Sequence, residues 1–219
     1  MASGYEEQYE ASMADGDGFW LKAAKAIDWQ VPPATGWTEG QGWFADGALN
    51  TCHNALDRHV IAGHGARTAM IYESPVTGTT RHYSYAELLD HVARTAGMLQ
   101  GLGVEKGDRV VIYMPMIPET VFAMLACARL GAIHSVVFGG FAAPELAKRI
   151  DDATPRLLLT ASCGIEGTKV IPYKPLVDHA LELTHHSIEH VVLLQRPQAL
   201  AEMQFGRDRS GLRAGSGQP

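Results

Sequence analysis

The chain has 219 residues, of which 46% are hydrophobic and 19% are charged, the proportions of an ordinary globular protein. Its formal net charge of −6 argues against a nucleic-acid partner, which would require a basic face, and against electrostatic docking on a membrane. Its three cysteines form no CxxC pair, which is typical of buried thiols in a reducing compartment, so a cytoplasmic location is predicted.

Helices and an aromatic loop are predicted for the N-terminal part of the chain. The sequence favours a helix over residues 5–35, ended by a pair of prolines, and then a loop over 36–50 whose aromatic side chains pack on a neighbouring element. Asn50 is a candidate N-cap for a further helix over 51–61. The acidic N-terminus lacks an apolar segment, which argues against a secretory signal.

A β-hairpin and a capped helix come next. Residues 68–72 and 80–83 are rich in strand-forming residues and flank a turn. A Thr-Gly-Thr-Thr stretch at this turn is similar to a phosphate-binding loop, but its strand-forming flanks favour a hairpin turn. Ser84 and Glu87 then have the S-x-x-E spacing of a capping box, which starts a helix.

Strands and helices alternate from residue 110 onward, which predicts a parallel α/β sheet. Four short apolar or β-branched runs predict strands, at 110–114, 135–138, 157–160 and 190–194, and the first two are expected to be buried. Helices are predicted between them, over 119–130, from Pro144 onward and over 174–184. The fold class is therefore α/β: a parallel sheet with flanking helices, plus an N-terminal helical segment and a β-hairpin.

Residues 120–143 are mostly apolar and long enough to be mistaken for a membrane span. Arg129, His134 and three glycines interrupt this run. Strand and helix boundaries explain these interruptions better, so no membrane span is predicted.

Six stretches of the sequence carry a resemblance to a known family. They are WFADGALN (43–50), NALDRH (54–59), KGDRV (106–110), YMPMIPE (113–119), ACARLGA (126–132) and HSVVFGGF (134–141). In these stretches the chain resembles the AMP-forming short-chain acyl-CoA synthetases, the acetyl- and propionyl-CoA synthetase group of the adenylate-forming superfamily. The resemblance covers residues 5–207, and residues 160–181 are closer to the propionyl-type members.

The resemblance implies a division of the chain into three parts. Residues 1–62 correspond to the N-terminal helical segment of the acyl-CoA synthetases, and residues 63–206 to an incomplete AMP-binding domain. Residues 207–219 have no apolar periodicity, and we expect them to form a divergent, disordered tail. Truncation or an altered reading frame would explain such a tail, and a natural flexible tail is the alternative.

Two segments rich in small residues lie where ligands bind in parallel α/β sheets, at the carboxyl ends of predicted strands. In the first, residues 138–141, glycines let the backbone approach a ligand closely. In the second, residues 161–169, Lys169 is positioned to meet a phosphate, with the N–H groups of Gly167 and Thr168 beside it. We expect the two strands to be neighbours, so the segments should lie side by side. The alternative is a plain strand-to-helix turn and a surface loop.

The resemblance implies that these two segments line a coenzyme A site. The residues at the matching positions are Phe138, Gly139, Gly140, Glu166, Gly167, Thr168, Lys169 and Ile171. Acetyl-type members usually have arginines at positions 166 and 169, so this chain keeps one positive charge of the two. Glu166 would repel a phosphate, and we expect it to accept a hydrogen bond from an adenine amine, a ribose hydroxyl or a basic group.

The resemblance also implies a reaction, in which a short carboxylic acid is joined to coenzyme A through an acyl-adenylate, with ATP and magnesium. Small-molecule substrates are the expected partners. The family's catalytic lysine, phosphate loop and magnesium-binding carboxylates have no counterpart in this sequence, so no catalytic or metal-binding residue is assigned and the chain alone is expected to be inactive.

Four histidines between 179 and 190 lack the partners of a zinc site and are interpreted as a solvated face. The alternative function is a non-catalytic α/β module for nucleotide binding or protein interaction.

Overall fold

The N-terminal segment contains two short helices rather than the one long helix that was predicted. In the computed structural model, which describes residues 4–203, these are α1 (Gly4–Ala14) and α2 (Gly16–Ala24). The break falls at Asp15, whose carboxylate accepts a hydrogen bond from the Gly18 N–H at 3.0 Å and caps α2. The prediction was wrong because it treated the proline pair, rather than this cap, as the first break in the segment.

An aromatic cluster joins α2 to the loop that follows it. The loop contains a two-stranded antiparallel ribbon, β1 (Trp37–Thr38) with β2 (Gly42–Trp43). The Trp43 ring lies edge-on to Trp20 of α2, with the ring centroids 5.7 Å apart, and to Trp37 at 5.1 Å. The predicted packing of these aromatic residues on a neighbouring element is confirmed.

Residues 51–64 are helical and include two π-helical turns, at His53–Asp57 and Val60–His64. Asn50 begins this helix as predicted, because its side-chain oxygen accepts a hydrogen bond from the His53 N–H at 3.0 Å.

A bidentate ion pair ties this helix to the sheet domain. The Arg129 guanidinium donates to both carboxylate oxygens of Asp57, at 2.8 and 3.0 Å. The Asn50 amide nitrogen adds a hydrogen bond to the Arg129 carbonyl at 3.0 Å. These contacts cross the predicted boundary between residues 62 and 63, and the boundary itself stays a prediction.

A β-hairpin and a long helix precede the sheet, as predicted. The hairpin pairs β3 (Thr68–Ser74) with β4 (Thr79–Ser84), and α3 (Tyr85–Gly101) follows directly. The capping box is present: the Ser84 hydroxyl accepts from the Glu87 N–H, and the Glu87 carboxylate accepts from the Ser84 N–H. The Thr-Gly-Thr-Thr stretch lies at the hairpin turn, so that prediction is also confirmed.

The rest of the described chain alternates between strands and helices. In chain order the elements are β5 (Arg109–Tyr113), α4 (Pro118–Leu130), β6 (Ile133–Val136), α5 (Ala143–Ala153), β7 (Leu157–Ala161), β8 (Cys163–Glu166), β9 (Lys169–Pro172), α6 (Lys174–Leu183) and β10 (His190–Leu194). Four of these strands form a parallel sheet in the order β10–β7–β5–β6. The predicted parallel α/β sheet is confirmed.

The sheet lies between two layers of helices. Val110 and Ile112 of β5 pack in one hydrophobic cluster with residues of α3 and α4. The alternate residues, Val111 and Tyr113, pack in a second cluster with residues of α5 and α6. Because successive side chains of a strand point to opposite faces, one buried strand contributes to both cores. The result is a three-layer α/β/α arrangement.

The strand β6 begins two residues earlier than predicted and is not buried on both sides. Gly131 ends α4 in the left-handed conformation (φ +74°). Two residues later, the Ile133 N–H donates a hydrogen bond to the carbonyl of Asp108, just before β5, at 2.7 Å. Since β6 is an edge strand of the described sheet, Ile133 and Val136 remain 56% and 47% exposed. The predicted strand 135–138 was therefore wrong at both ends, and Phe138 lies outside the sheet.

The long apolar run at 120–143 divides into most of α4, β6 and the loop after it. Among residues 4–203, no helix combines the length and the apolar character needed to cross a membrane. The three cysteines are buried, as predicted. The predicted tail, residues 207–219, lies outside the described residues.

Candidate functional site

The loop between β6 and α5, residues 138–141, forms one side of the candidate site. It turns tightly, since the Phe141 N–H donates a hydrogen bond to the Phe138 carbonyl at 3.0 Å. The Phe138 side chain is 68% exposed, and its ring lies edge-on to Phe141 with the centroids 5.8 Å apart. Gly139 is buried, whereas Gly140 is exposed. The exposed Phe138 ring and the exposed backbone of Gly140 therefore lie together near the carboxyl end of β6.

Tyr113, the last residue of β5, holds this loop in place. Its hydroxyl donates to the Phe141 carbonyl at 2.8 Å and shares the proton with the Gly139 carbonyl at 3.3 Å. The side chain is fully buried, and this burial, with smaller effects of Tyr173 and Glu166, raises the pKa of Tyr113 to about 12. The hydroxyl therefore stays protonated and remains a donor at neutral pH.

A β-hairpin forms the other side of the site. The strands β8 and β9 pair antiparallel, with Glu166 opposite Lys169. Between them Gly167 occupies the left-handed region (φ +57°), which glycine adopts without strain. Residues 161–169 are therefore not a plain loop, because residues 163–166 form a strand that pairs with residues 169–172.

The predicted residues of this hairpin have two different environments. Glu166, Gly167, Thr168 and Lys169 are all exposed at its tip. Ile171 instead packs against the cluster formed with α5 and α6, so it holds the hairpin on the core. The tip is therefore accessible to an anionic ligand, whereas Ile171 has a supporting position.

The loop and the hairpin meet over the end of β5. We expected β6 and β7 to be neighbours, and this was wrong, because β5 lies between them. The two segments are joined instead by Tyr173, which follows β9. A Cβ atom on Gly139 would lie 2.2 Å from the Tyr173 hydroxyl, and one on Gly164 would lie 2.5 Å from it. The hydroxyl thus lies between a glycine of the loop and a glycine of the hairpin, so the segments are side by side.

Glu166 brings negative charge close to the open backbone of the loop. A Cβ atom on Gly140 would lie 3.5 Å from a Glu166 carboxylate oxygen and 2.8 Å from the Phe138 ring. Any side chain at position 140 would therefore fill the space between the ring and the carboxylate. Because an ionised carboxylate only accepts hydrogen bonds, this space suits an amine or hydroxyl group better than a phosphate.

Three residues of this arrangement were missed in the sequence: Tyr113, Tyr173 and Arg196. Arg196 donates from Nη1 to the Cys163 carbonyl at 2.9 Å and from its backbone N–H to the Ser162 hydroxyl at 2.8 Å. These bonds anchor the base of the hairpin to the segment after β10. The role of Tyr113 had a signal in the sequence, since a tyrosine at the end of an otherwise aliphatic run indicates a hydroxyl that needs a hydrogen-bond partner. The contacts of Tyr173 and Arg196 are long-range, and the local sequence carries no signal for them.

The histidines near the end of α6 take part in local hydrogen bonds. The exposed His185 ring lies 3.1 Å from the Asp151 carboxylate, and the His186 Nε2 lies 2.8 Å from the Pro155 carbonyl. In the part of the chain that the structure describes, no group of three or more His, Cys, Asp or Glu side chains is arranged to hold a metal ion.

A three-layer α/β domain with glycine-rich segments at the carboxyl ends of its parallel strands has the architecture of a nucleotide- or cofactor-binding enzyme domain. The comparisons with known proteins define the family. The family model described as AMP-binding enzyme matches residues 57–212, and the model described as acetyl-coenzyme A synthetase N-terminus matches residues 5–55. The chain belongs to the AMP-binding enzyme family, as the sequence resemblance had indicated.

Three relatives illustrate the similarity. An uncharacterized protein of Pseudomonas aeruginosa is 58% identical over 208 residues, which cover 93% of this chain and 33% of the relative. The mitochondrial acyl-CoA synthetase short-chain family member 3 of Mus musculus is 46% identical over 213 residues (93% and 31%). The propionate–CoA ligase of Escherichia coli is 44% identical over 208 residues (93% and 33%). The chain spans about a third of the length of these curated relatives.

Proposed function

We propose that the chain is the N-terminal part of an ATP-dependent, AMP-forming acyl-CoA synthetase that ligates propionate or acetate to coenzyme A through an acyl-adenylate. The support is the similarity over 93% of the chain to a propionate–CoA ligase and to a short-chain acyl-CoA synthetase. The cytoplasm is the proposed compartment. The relatives do not decide this point, because the similar mouse protein is named mitochondrial.

The contribution that we propose for these residues is part of the coenzyme A surface. The observation that carries this proposal is the meeting of the 138–141 loop with the β8–β9 hairpin over the end of β5. The exposed Phe138 ring is available to stack on an adenine, and Glu166 to accept from its amine or from a ribose hydroxyl. Lys169, at the exposed tip, is available to a phosphate.

ATP and magnesium are proposed for the whole enzyme, and no residue of this chain is assigned to either of them. Residues 4–203 offer no cluster of metal ligands, and the sequence has no glycine-rich loop with a following lysine of the P-loop type.

The coenzyme A surface is tested by titration of the chain with coenzyme A and with its dephospho form. If Lys169 contacts the phosphate that the dephospho form lacks, Lys169→Ala should weaken the binding of coenzyme A alone. If Lys169 contacts a phosphate that both forms have, the binding of both should weaken. The expected loss is about 0.5–1 kcal/mol, because an exposed ion pair is screened by water. Lys22→Ala, in α2, is the matched control and should leave both affinities unchanged. Equal affinities of Lys169→Ala and the unmodified chain for both ligands would contradict a phosphate contact by Lys169. No binding by the unmodified chain would overturn the coenzyme A surface as a whole.

The reaction is tested with a chimera in which this chain replaces the matching third of the Escherichia coli propionate–CoA ligase. We expect the chimera to form AMP and acyl-CoA from ATP, coenzyme A and propionate or acetate. The chain alone serves as the negative control, because it is expected to be inactive. A folded chimera without activity toward either acid would contradict the proposed function.

A further inference from the structure

The least expected group at the junction of the loop and the hairpin is the hydroxyl of Tyr173. The residue is only 4% exposed, yet its hydroxyl makes no hydrogen bond with any residue in the described range. Buried hydroxyls are normally paired, and Tyr113, whose ring centroid lies 5.0 Å away, uses its own hydroxyl twice. An unpaired hydroxyl on an almost fully buried side chain therefore needs an explanation.

This hydroxyl is not sealed inside the protein. Within residues 4–203, no fully enclosed side-chain nitrogen or oxygen lacks a hydrogen-bond partner. The Tyr173 oxygen has no partner, so it is not completely enclosed, although the rest of its side chain is buried. It is a polar tip at the end of an immobilised aromatic ring, and its position is fixed before any ligand arrives.

The position of this tip is the junction of the two segments that form the candidate site. Side chains at Gly139 and Gly164 would each occupy the place of the hydroxyl, since their Cβ atoms would lie 2.2 and 2.5 Å from it. Glycine at both positions therefore leaves the room that the hydroxyl occupies between the loop and the hairpin. This point lies beyond the carboxyl ends of the parallel strands, where ligands of such sheets bind.

We propose that the Tyr173 hydroxyl contacts the ligand directly, as a hydrogen-bonding group for an uncharged amide or amine of coenzyme A. This inference rests on the proposed function and adds a specificity-determining residue to it. The group that it meets is uncharged because Glu166, close to Gly140, would repel a phosphate at the same place. Lys169, the cation of the hairpin, would then be the partner of a phosphate.

The protonation state of the residue agrees with this role. Burial, and secondly the negative charge of Glu166, raises the pKa of Tyr173, while Arg196 acts in the opposite direction. The hydroxyl stays neutral at physiological pH, and it can donate to an amide carbonyl or accept from an amine.

The test is Tyr173→Phe, which removes the oxygen and keeps the ring. We expect its affinity to fall about three- to tenfold for both coenzyme A and dephospho-coenzyme A, the effect of losing one neutral hydrogen bond. The melting temperature should not fall, because the hydroxyl has no partner in the free protein. Tyr83→Phe, another buried tyrosine in the β3–β4 hairpin, is the matched control and should keep the affinity of the unmodified chain.

The outcomes separate this inference from the proposed function. Unchanged affinity of Tyr173→Phe, in a chain whose unmodified form binds coenzyme A, overturns the inference and leaves the coenzyme A surface standing. A fall in affinity that is accompanied by a lower melting temperature also overturns it, since this would indicate a structural role. An unmodified chain that binds neither ligand overturns both.

Discussion

Replacing Gly139 with alanine tests the geometry of the site most directly. The new Cβ would lie 2.2 Å from the Tyr173 hydroxyl, whereas ordinary contacts begin near 3.4 Å, so about 1.2 Å of movement is required. Neither side yields easily, because Tyr173 is buried against Tyr113 and the Gly139 carbonyl accepts from the Tyr113 hydroxyl. The loop must therefore move away from the end of β5, or the tyrosine must leave its packed position.

The expected cost follows from this overpacking. Forcing an extra methyl group into a packed region costs about 1–3 kcal/mol. For a chain of this size such a loss lowers the melting temperature by roughly 2–12 °C. Gly97→Ala, in α3, is the opposite control: a Cβ there meets nothing within 4 Å, and alanine in a helix should add about 0.5–1 kcal/mol.

The assay is thermal or urea unfolding of a double-mutant cycle between positions 139 and 173. Without the hydroxyl, the nearest atom to the new Cβ is the ring carbon Cζ at 2.9 Å, which needs a smaller shift. Tyr173→Phe should therefore restore most of the stability that Gly139→Ala loses, with a coupling of about 1 kcal/mol or more. Additive effects of the two substitutions, or a Gly139→Ala chain as stable as the unmodified one, would refute this account.

Two further predictions concern carboxylates outside the site. Asp57→Ala should lower the free energy of unfolding by about 1.5–3 kcal/mol, because it leaves the half-buried Arg129 without its bidentate partner. Urea titration of both variants measures these costs. Asp90→Ala, which removes an exposed helical ion pair, should lower the free energy of unfolding by less than about 0.5 kcal/mol, and equal losses for the two variants would contradict the argument. Hydrogen bonds, first of all from the Thr184 hydroxyl, hold the pKa of Asp151 well below its usual value. The ionised carboxylate therefore stabilises the fold fully above the unfolded pKa of about 3.9, and this stabilisation is lost as the pH falls toward the depressed folded pKa. The melting temperature should therefore fall more steeply below about pH 4 in the unmodified chain than in Asp151→Asn, and parallel curves would count against this cause.

The sheet could be predicted from the sequence because its signals are local. A strand such as 110–113 is a short β-branched run, and a buried parallel strand needs little else to be recognised. Ser84 and Glu87 form their capping box within one turn, so spacing alone predicts the start of α3. Gly131 is also a local signal, because a glycine that follows a helical pattern marks the end of the helix.

The errors have physical causes as well. The hairpin β8–β9 was missed because Gly164 and Pro172 are poor strand formers, and the pairing outweighs their propensity. The strand β6 was expected to be buried because its residues are apolar, but apolar residues also occupy an edge. The roles of Tyr113 and Tyr173 depend on residues far away in the chain, and local pattern contains no information about them.

The tyrosines also bear on the proposed binding surface, because they order a loop that is rich in glycine. Flexible glycines allow close approach of a ligand, but ordering them on binding costs conformational entropy. Here much of that cost is met during folding, because Tyr113 fixes two carbonyls of the loop and the Tyr173 ring separates the loop from the hairpin. Both tyrosines pack in the cluster formed with α5 and α6, so the strength of that core determines how rigidly the surface is held. Substitutions in α5 or α6 that loosen this core should therefore weaken ligand binding even though they touch no ligand.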